Sequence, residues 1–445
     1  MKPHGDMKAA FEDRVEQILG DPERFVAKDG GIVVGLESEV GFFGSGMTEE
    51  EIHERRKGMI ESLDTGLDIE LGGCQGEFRT EPHDLSLGVN PLLEDLKNGD
   101  SKVRTAAQRA GLSVVRAGVN PIVPLVKAFR SPEKEKYRLV PDFNDAHRNT
   151  AHPFVGIRGV RVPVDASCVS AFQAFHVNLR ARSLTDAVER MNRSLMISPA
   201  LVALGGNARF VKHGSVVADT GMNDIRMLAW QRSHDTRTKG EFARGWSWRG
   251  GLPESYIKDM RDYFERISRH AFILDDPDHA LEIATGLAWL DARIKFIKSN
   301  VIVELRSLPT QPTVEEEIAL FLFYLGRLFS GEMRQERLLP IGLVRANRNV
   351  AMHEGLSGSY WMWEGDGVRL VSGTEMIERE LVLAEWGVQS SAIPWNEAEP
   401  YFISLRERVL DGSPSDRLSR ALSGKSIVEP DEMMHALQNI GMLIS

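Results

Sequence analysis

Apolar and polar positions along this chain change period several times, and each change marks an element. In residues 8–26, Phe11, Val15 and Ile18 recur at helical spacing before Gly20-Asp21-Pro22, which predicts a surface helix with a sharp stop. Residues 31–43 switch to alternation, with Leu36, Ser38 and Val40 on one side and Glu37 and Glu39 on the other, as in a strand with one polar face. A polar helix is expected over 48–62, then a strand-like region over 68–80 that Gly72-Gly73 bends or bulges. Residues 85–111 read as helix closed by Gly111, 112–126 as β-like and apolar, and 129–151 as a charged loop. Over 168–182 a further strand places Gln173, Phe175, Val177 and Leu179 opposite His176, Asn178 and Arg180.

A helix over 186–196 opens with the capping pattern Asp186-x-x-Glu189 and continues through 198–204. Residues 205–253, rich in Gly, Arg and Trp, have the composition of a long binding loop. Helices near 254–270 and 278–287 precede a strand over 299–308, on which Ile302, Glu304 and Arg306 share a face. Thr313-x-x-Glu316 caps a long helix, and 373–445 alternates helices with Gly, Pro and Ser breaks. No internal repeat or low-complexity tract interrupts this order.

With 42% hydrophobic and 27% charged residues, the 445-residue chain has the apolar material for a large core, so wholesale disorder is excluded. Its net charge of −10 argues against a surface that tracks nucleic-acid phosphates. Two cysteines, Cys74 and Cys168, neither staple such a chain nor build a Cys-rich zinc site, and they fit a reducing compartment. The start of the chain lacks an apolar signal core, and the longest apolar run, 318–325, is far too short to span a bilayer, so a cytoplasmic protein without membrane contact is expected.

Four strand-like segments each carry ionisable groups on one face: Glu37 and Glu39, Glu70 and Glu77, His176, then Glu304 with Arg306. Five carboxylates on one concave face repel one another unless cations lie between them, and hard oxygen donors suit Mg²⁺. Such a set has room for two or three divalent ions together with phosphate oxygens, which points to phosphoryl transfer from ATP.

The motifs also resemble a known family. Gly35-Leu36-Glu37-Ser38-Glu39 is similar to the first-strand Gly-x-Glu-x-Glu of carboxylate-amine ligases related to glutamate-cysteine ligase, whose fold is like that of glutamine synthetase. Gln75-Gly-Glu77-Phe-Arg-Thr-Glu-Pro82, Phe175-His176-Val-Asn178, Ser198-Pro-Ala-Leu-Val-Ala-Leu204 and Val303-Glu304-Leu-Arg306-Ser-Leu-Pro-Thr-Gln-Pro312 resemble its later motifs in the same order. The resemblance implies an α+β fold in which a curved, largely antiparallel sheet floors the active site and helices pack outside. It implies Mg²⁺ ligation by Glu37, Glu39, Glu77 and Glu304, with either Glu70 or Asp68 as a further ligand. His176 would hold metal or the phosphate side, Arg306 would face the transferred phosphoryl group, and Arg226 would contact substrate or phosphate. The chain departs from the pattern at Gly72-Gly73-Cys74, where larger residues are expected.

On this reading the protein is an ATP- and Mg²⁺-dependent ligase. It joins a carboxylate, the γ-carboxylate of glutamate, to an amine, that of cysteine, through an acyl phosphate. Its partners are small molecules, its oligomeric state is open, and no general base for the amine is identified. The layout expected is a helical segment over 1–30, a catalytic core over 31–315 and a helical part of the same domain over 316–445, with 129–151 and 205–253 as lids. A different amino acid and amine pair, a non-catalytic binding protein on the same fold and a metal-dependent hydrolase are the alternatives.

Other features weigh less. Tyr137-Arg138 is a candidate for holding a substrate carboxylate or a plain piece of charged loop. Trp246, Trp248, Trp361 and Trp363 are candidates to stack on adenine or to pack. His353-Glu354 lacks the second His of a zinc protease motif. A Cys168–His176 nucleophile pair is excluded, because eight residues of extended strand separate its members by about 26 Å.

Overall fold

Strand β1 (Val33–Phe43) is central to the fold, and its burial alternates residue by residue as its sequence does. The structure is a computed structural model that describes residues 5–62, 66–148, 154–157, 160–247 and 249–444. The other long-range partners in the sheet are β2 (Leu67–Ile69), β3 (Gln75–Arg79), β4 (Phe175–Arg180), β5 (Ala292–Ile297) and β6 (Asn300–Leu305). They lie in the order β5-β6-β4-β1-β3-β2, and every pair is antiparallel. His83–Asp84 and Ser113–Val115 pair with the two ends of β1, and Leu443–Ile444 pairs with Ser113–Val115, so the end of the chain returns to the main sheet.

The helices that matter below are α1 (Gly5–Gly20), α2 (Asn90–Arg109), α3 (Lys136–His147), α4 (Leu184–Gly205), α5 (Ile225–Ser233), α6 (Val314–Met333), α7 (Ile341–His353) and α8 (Gly373–Gln389). Val34, Leu36 and Val40 of β1 join Val177 and Leu179 of β4 and the buried run from Ile318 to Leu325 of α6 in one core. That core forms because alternation sends every second side chain of each strand to the same face, where helices exclude water. Farther along the same face, Ile294 and Phe296 of β5 and Val303 of β6 pack with Phe11, Val15 and Ile18 of α1. The class is α+β, an open antiparallel sheet with helices packed outside it.

One polar residue interrupts the apolar face. Ser38 is fully buried, and its hydroxyl donates to both carboxylate oxygens of Glu317 on α6, at 3.0 and 3.1 Å. Glu317 also accepts from Arg116 at 2.8 Å, and Arg116 pairs in turn with Asp100 of α2 at 2.8 Å. Burial pushes the Glu317 carboxyl up to about 7, against the pull of Arg116. The residue between Glu37 and Glu39 is thereby clamped from behind.

Several expectations are corrected. The segment 129–151 is not all loop, because α3 occupies Lys136–His147 despite Pro141. The segment 205–253 contains strands Phe210–His213 and Val216–Asp219 as well as α5 and a short helix, Lys239–Ala243. Of 112–126 only Ser113–Val115 is strand; beyond it, backbone groups bond to loops, as from Gly118 N–H to the Asn207 carbonyl at 2.7 Å. Residues Ala166–Ala171 form a 3₁₀ turn, so the strand expected from 168 begins at Phe175. The cap of α4 is Ser183, whose side chain accepts from the Asp186 N–H. The Gly72-Gly73 bend is real: a Cβ on Gly72 would collide with the Ser170 carbonyl, and Gly73 N–H bonds to Phe129 at 2.9 Å.

Candidate active site

The polar face of the sheet follows from register. Glu37 lies opposite His176 on β4 and Arg79 on β3, and Glu39 lies opposite Glu77. Glu77 lies opposite Asp68, and Glu304 on β6 lies opposite Asn178 on β4 and Arg293 on β5. Because directly paired residues share a face, one surface collects the acids of β1, β3 and β6 with the cations of β5 and β6. Five of the expected site residues, Glu37, Glu39, Glu77, His176 and Glu304, are thus adjacent on one surface, and Arg306 stands two residues along β6 from Glu304.

The carboxylates divide into two electrostatic groups. Glu304 is fully buried and bound by three cations: Arg293, Lys295 at 2.5 Å and Arg306 at 2.9 Å. Burial resists its ionisation, but Arg293, Arg306 and Lys295 hold it well below the usual carboxylate range. Glu37 accepts from His176 Nδ1 at 3.1 Å and lies 3.5 Å from Lys295. Burial and Glu304 oppose its ionisation, yet His176 and Lys295 hold it down to about 2. The opposite group is less fully compensated, with Arg79 at 3.6 Å from Glu77 and more distant cations around Glu39 and Glu70. Glu39 is raised to about 8 by burial and by Glu70, although Ala174 N–H donates to it at 2.7 Å. Glu77 is raised well above its ordinary value by burial and by Glu70, Glu37 and Glu39. Burial is also the largest cause of the rise in Glu70, with Lys136 and Lys134 pulling against it.

Like charges buried together are stabilised by a cation among them. Glu37, Glu77 and His176 can each bring one ligand atom within 4.8 Å of the other two. Burial and Arg306 lower His176 to about 4, so the ring is neutral at physiological pH. A neutral ring that donates from Nδ1 to Glu37 keeps the Nε2 lone pair for a ligand. Carboxylate oxygens with one imidazole fit a hard divalent ion such as Mg²⁺.

Beside this face lies a pocket lined by His176, Arg226, Trp230, Trp289, Arg306 and Arg348, among others. Arg226 is buried, donates to the Ser307 carbonyl at 2.6 Å, and finds no acceptor for its Nε among the described residues. The Ser307 hydroxyl is likewise without a partner. Two buried donors at the edge of an acidic cluster suit the anionic part of a substrate.

The sequence profile of glutamate-cysteine ligase family 2 matches residues 33–424. The chain belongs to this family. Membership makes it an ATP-dependent carboxylate-amine ligase, as the motifs implied. No curated protein matches the chain in sequence. Among solved structures, a glutamate-cysteine ligase from Francisella tularensis in complex with AMP superposes with a TM-score of 0.61 at 11% identity, covering 94% of this chain and 90% of that one. A bifunctional glutathione synthetase from Pasteurella multocida superposes at 0.50 and 12% identity, over 96% of this chain and 53% of that one. At such identities these likenesses concern the fold.

In this member of the family, Asp68 is half-exposed and paired with Arg79, whereas the buried Glu70 carboxyl raises Glu39 and Glu77. Tyr137 is buried and donates to the Ile69 carbonyl at 2.6 Å, while Arg138 is exposed and pairs with its own helix. Trp246 is flanked by Arg244 and Arg269, Trp361 and Trp363 lie among the outer helices, and Trp248 lies outside the described residues. Cys168 donates to Ser233 at 3.2 Å in the core, and burial pushes both thiols up.

Three cations escaped the sequence reading. Arg293 and Lys295 stand on β5, whose alternation with Ile294 and Phe296 was a usable strand signal. Lys136 comes from the start of α3, and burial lowers its ammonium while Glu70 and Glu77 attract it.

Proposed function

We propose that the enzyme joins the γ-carboxylate of glutamate to the amine of cysteine through an acyl phosphate, with Mg²⁺ bound at the acidic face. The observation that carries this reading is the position of the Glu37, Glu39, Glu77 and His176 cluster next to Arg306 and Arg226 on one side of the sheet. The family supports the choice of substrate pair.

Glu37, Glu77 and His176 would hold a first ion, and Glu39 and Glu70 a second. Bound Mg²⁺ would neutralise phosphate charge and polarise the phosphoryl oxygens. Arg306 offers planar donors to the γ-phosphoryl group of ATP as charge builds on its equatorial oxygens. Glu304 serves Arg306 by fixing its guanidinium at 2.9 Å, and it ligates metal only if Lys295 withdraws. Arg226 and Ser307 orient the carboxylate substrate, so that its oxygen approaches the phosphorus in line with the departing ADP. The amine then attacks the acyl carbon and phosphate leaves.

The test is phosphate release from ATP across pairs of amino acids and amines, with mass detection of the product. Release that requires Mg²⁺, glutamate and cysteine together is expected. ATP binding without turnover for any pair would favour a binding protein, and turnover with another pair would reassign the substrates.

A further inference from the structure

Outside the sheet, a cavity of about 480 Å³ opens among the helices. None of its lining residues belongs to β1–β6. Met196, Ile197, Pro199 and Ala200 of α4 form an apolar floor, and Trp361 and Trp363 stand on one wall. Those tryptophans lie on strand β7 (Ser359–Glu364), which pairs with β8 (Gly367–Ser372) in a two-stranded hairpin. The size falls within the range of small-molecule pockets.

Three features make the cavity more than a packing defect. The Trp363 indole N–H is buried and has no acceptor among the described residues. A buried donor of this kind is a place where a ligand atom gains a hydrogen bond that water cannot compete for. The Arg337 guanidinium sits over the Trp363 ring, 4.1 Å from its centroid. A cation stacked there keeps its in-plane N–H donors free to meet an anion, while the opposite face of the ring stays a stacking surface. Asn347 of α7 fixes Trp361 by two main-chain hydrogen bonds of 2.8 Å, so the aromatic wall is held in place.

The charges around the cavity select the ligand. Arg327 is neutralised by Glu336 and Glu380, and Arg379 pairs with Glu375 and Glu364. What remains at the mouth is Arg334 and Arg337 against the single exposed Asp366. An apolar floor, an aromatic wall with an open N–H, and a surplus guanidinium suit one chemistry. We propose that this cavity binds a small flat anion, an aromatic or heteroaromatic molecule with a hydrogen-bond acceptor and one carboxylate, sulfonate or phosphate group. The site is separate from the catalytic face and does not depend on the identity of the ligase substrates.

The probe is 1-anilinonaphthalene-8-sulfonate, titrated into the full chain with ATP and Mg²⁺ at saturation and followed by energy transfer from tryptophan. Saturable binding is expected, weakened roughly tenfold by Arg337→Ala, which removes the surplus cation, and by a smaller factor by Trp363→Phe, which keeps a ring but deletes the donor. Arg337 is exposed, and Trp363 is only half-buried on a peripheral hairpin where Phe keeps an aromatic ring, so both variants should keep the wild-type circular dichroism and a cooperative melt. Absence of saturable binding while ATP is saturating, or unchanged affinity in both folded variants, would each overturn the proposal.

Discussion

Replacing Glu39 by Gln should stabilise the metal-free protein at alkaline pH, the reverse of the usual outcome for a buried residue. Burial and the neighbouring Glu70 raise the Glu39 carboxyl from 4.5 to about 8 in the folded state. A carboxyl raised in this way favours folding only while protonated, so its contribution is full below about pH 4.5 and is lost as pH rises through about 8. Above that point the ionised group costs the folded state roughly 5 kcal/mol relative to the unfolded chain. Glutamine cannot ionise, and it also relieves Glu77 and Glu70 of a like charge, so the variant should lose most of the pH slope. For 445 residues, unfolding entropy corresponds to about 1 kcal/mol per degree, so the gain at pH 8 is a melting shift of about 3–5 °C. Urea midpoints with and without EDTA, at pH 5 and 8, supply a second readout. Added Mg²⁺ should raise the wild-type midpoint more than that of the variant. A variant less stable than wild type at pH 8 without metal, or one with the wild-type pH slope, would refute the assignment of Glu39 to an acidic cluster awaiting cations.

Other consequences are simpler to check. Arg306→Ala and Glu304→Gln should each lower turnover by at least about 100-fold, the first by removing a phosphoryl donor and the second by freeing its guanidinium; near-normal rates in both would remove this face from the chemistry. Ser38→Ala leaves Glu317 short of a donor in the core and should cost about 1–3 kcal/mol by denaturant midpoint, whereas an unchanged midpoint would mean the clamp behind β1 carries no energy. Tyr137→Phe should reduce stability by about 1 kcal/mol with near-normal KM for both amino acids, and a large rise in KM would return Tyr137 to the substrate pocket.

Where the pattern was regular, the sequence was a good guide. Alternation placed Glu37 and Glu39 together on one face of β1, and the structure shows that face turned toward β3, β4 and β6 as the ordered motifs implied. The half of the site that was not legible is its positive half. Strand β5 is joined to β6 through Lys298, which adopts a positive φ of 57° with no glycine or asparagine to announce a tight turn. Arg293 and Lys295 therefore went without a role in the sequence reading, although their partner is a buried acid on the next strand. Helix α3 was hidden by Pro141 and a dense run of charge, and only its contacts with β2 show why it belongs to the site. Glu304 was expected as a metal ligand from the resemblance; of its three cations Arg306 was visible on the same strand face, whereas Arg293 and Lys295 come from the neighbouring strand.

The order of the strands also has a consequence for synthesis. Residues of β1, β3 and β4 leave the ribosome more than a hundred positions before Arg293, Lys295 and Arg306 are made. During that interval the nascent chain carries Glu37, Glu39 and Glu77 without the cations that later oppose them, and β4 has no β6 to pair with. Assembly of the acidic face is therefore a late event, and any product truncated before β6 both lacks Arg306 and leaves β4 as an unpaired sheet edge.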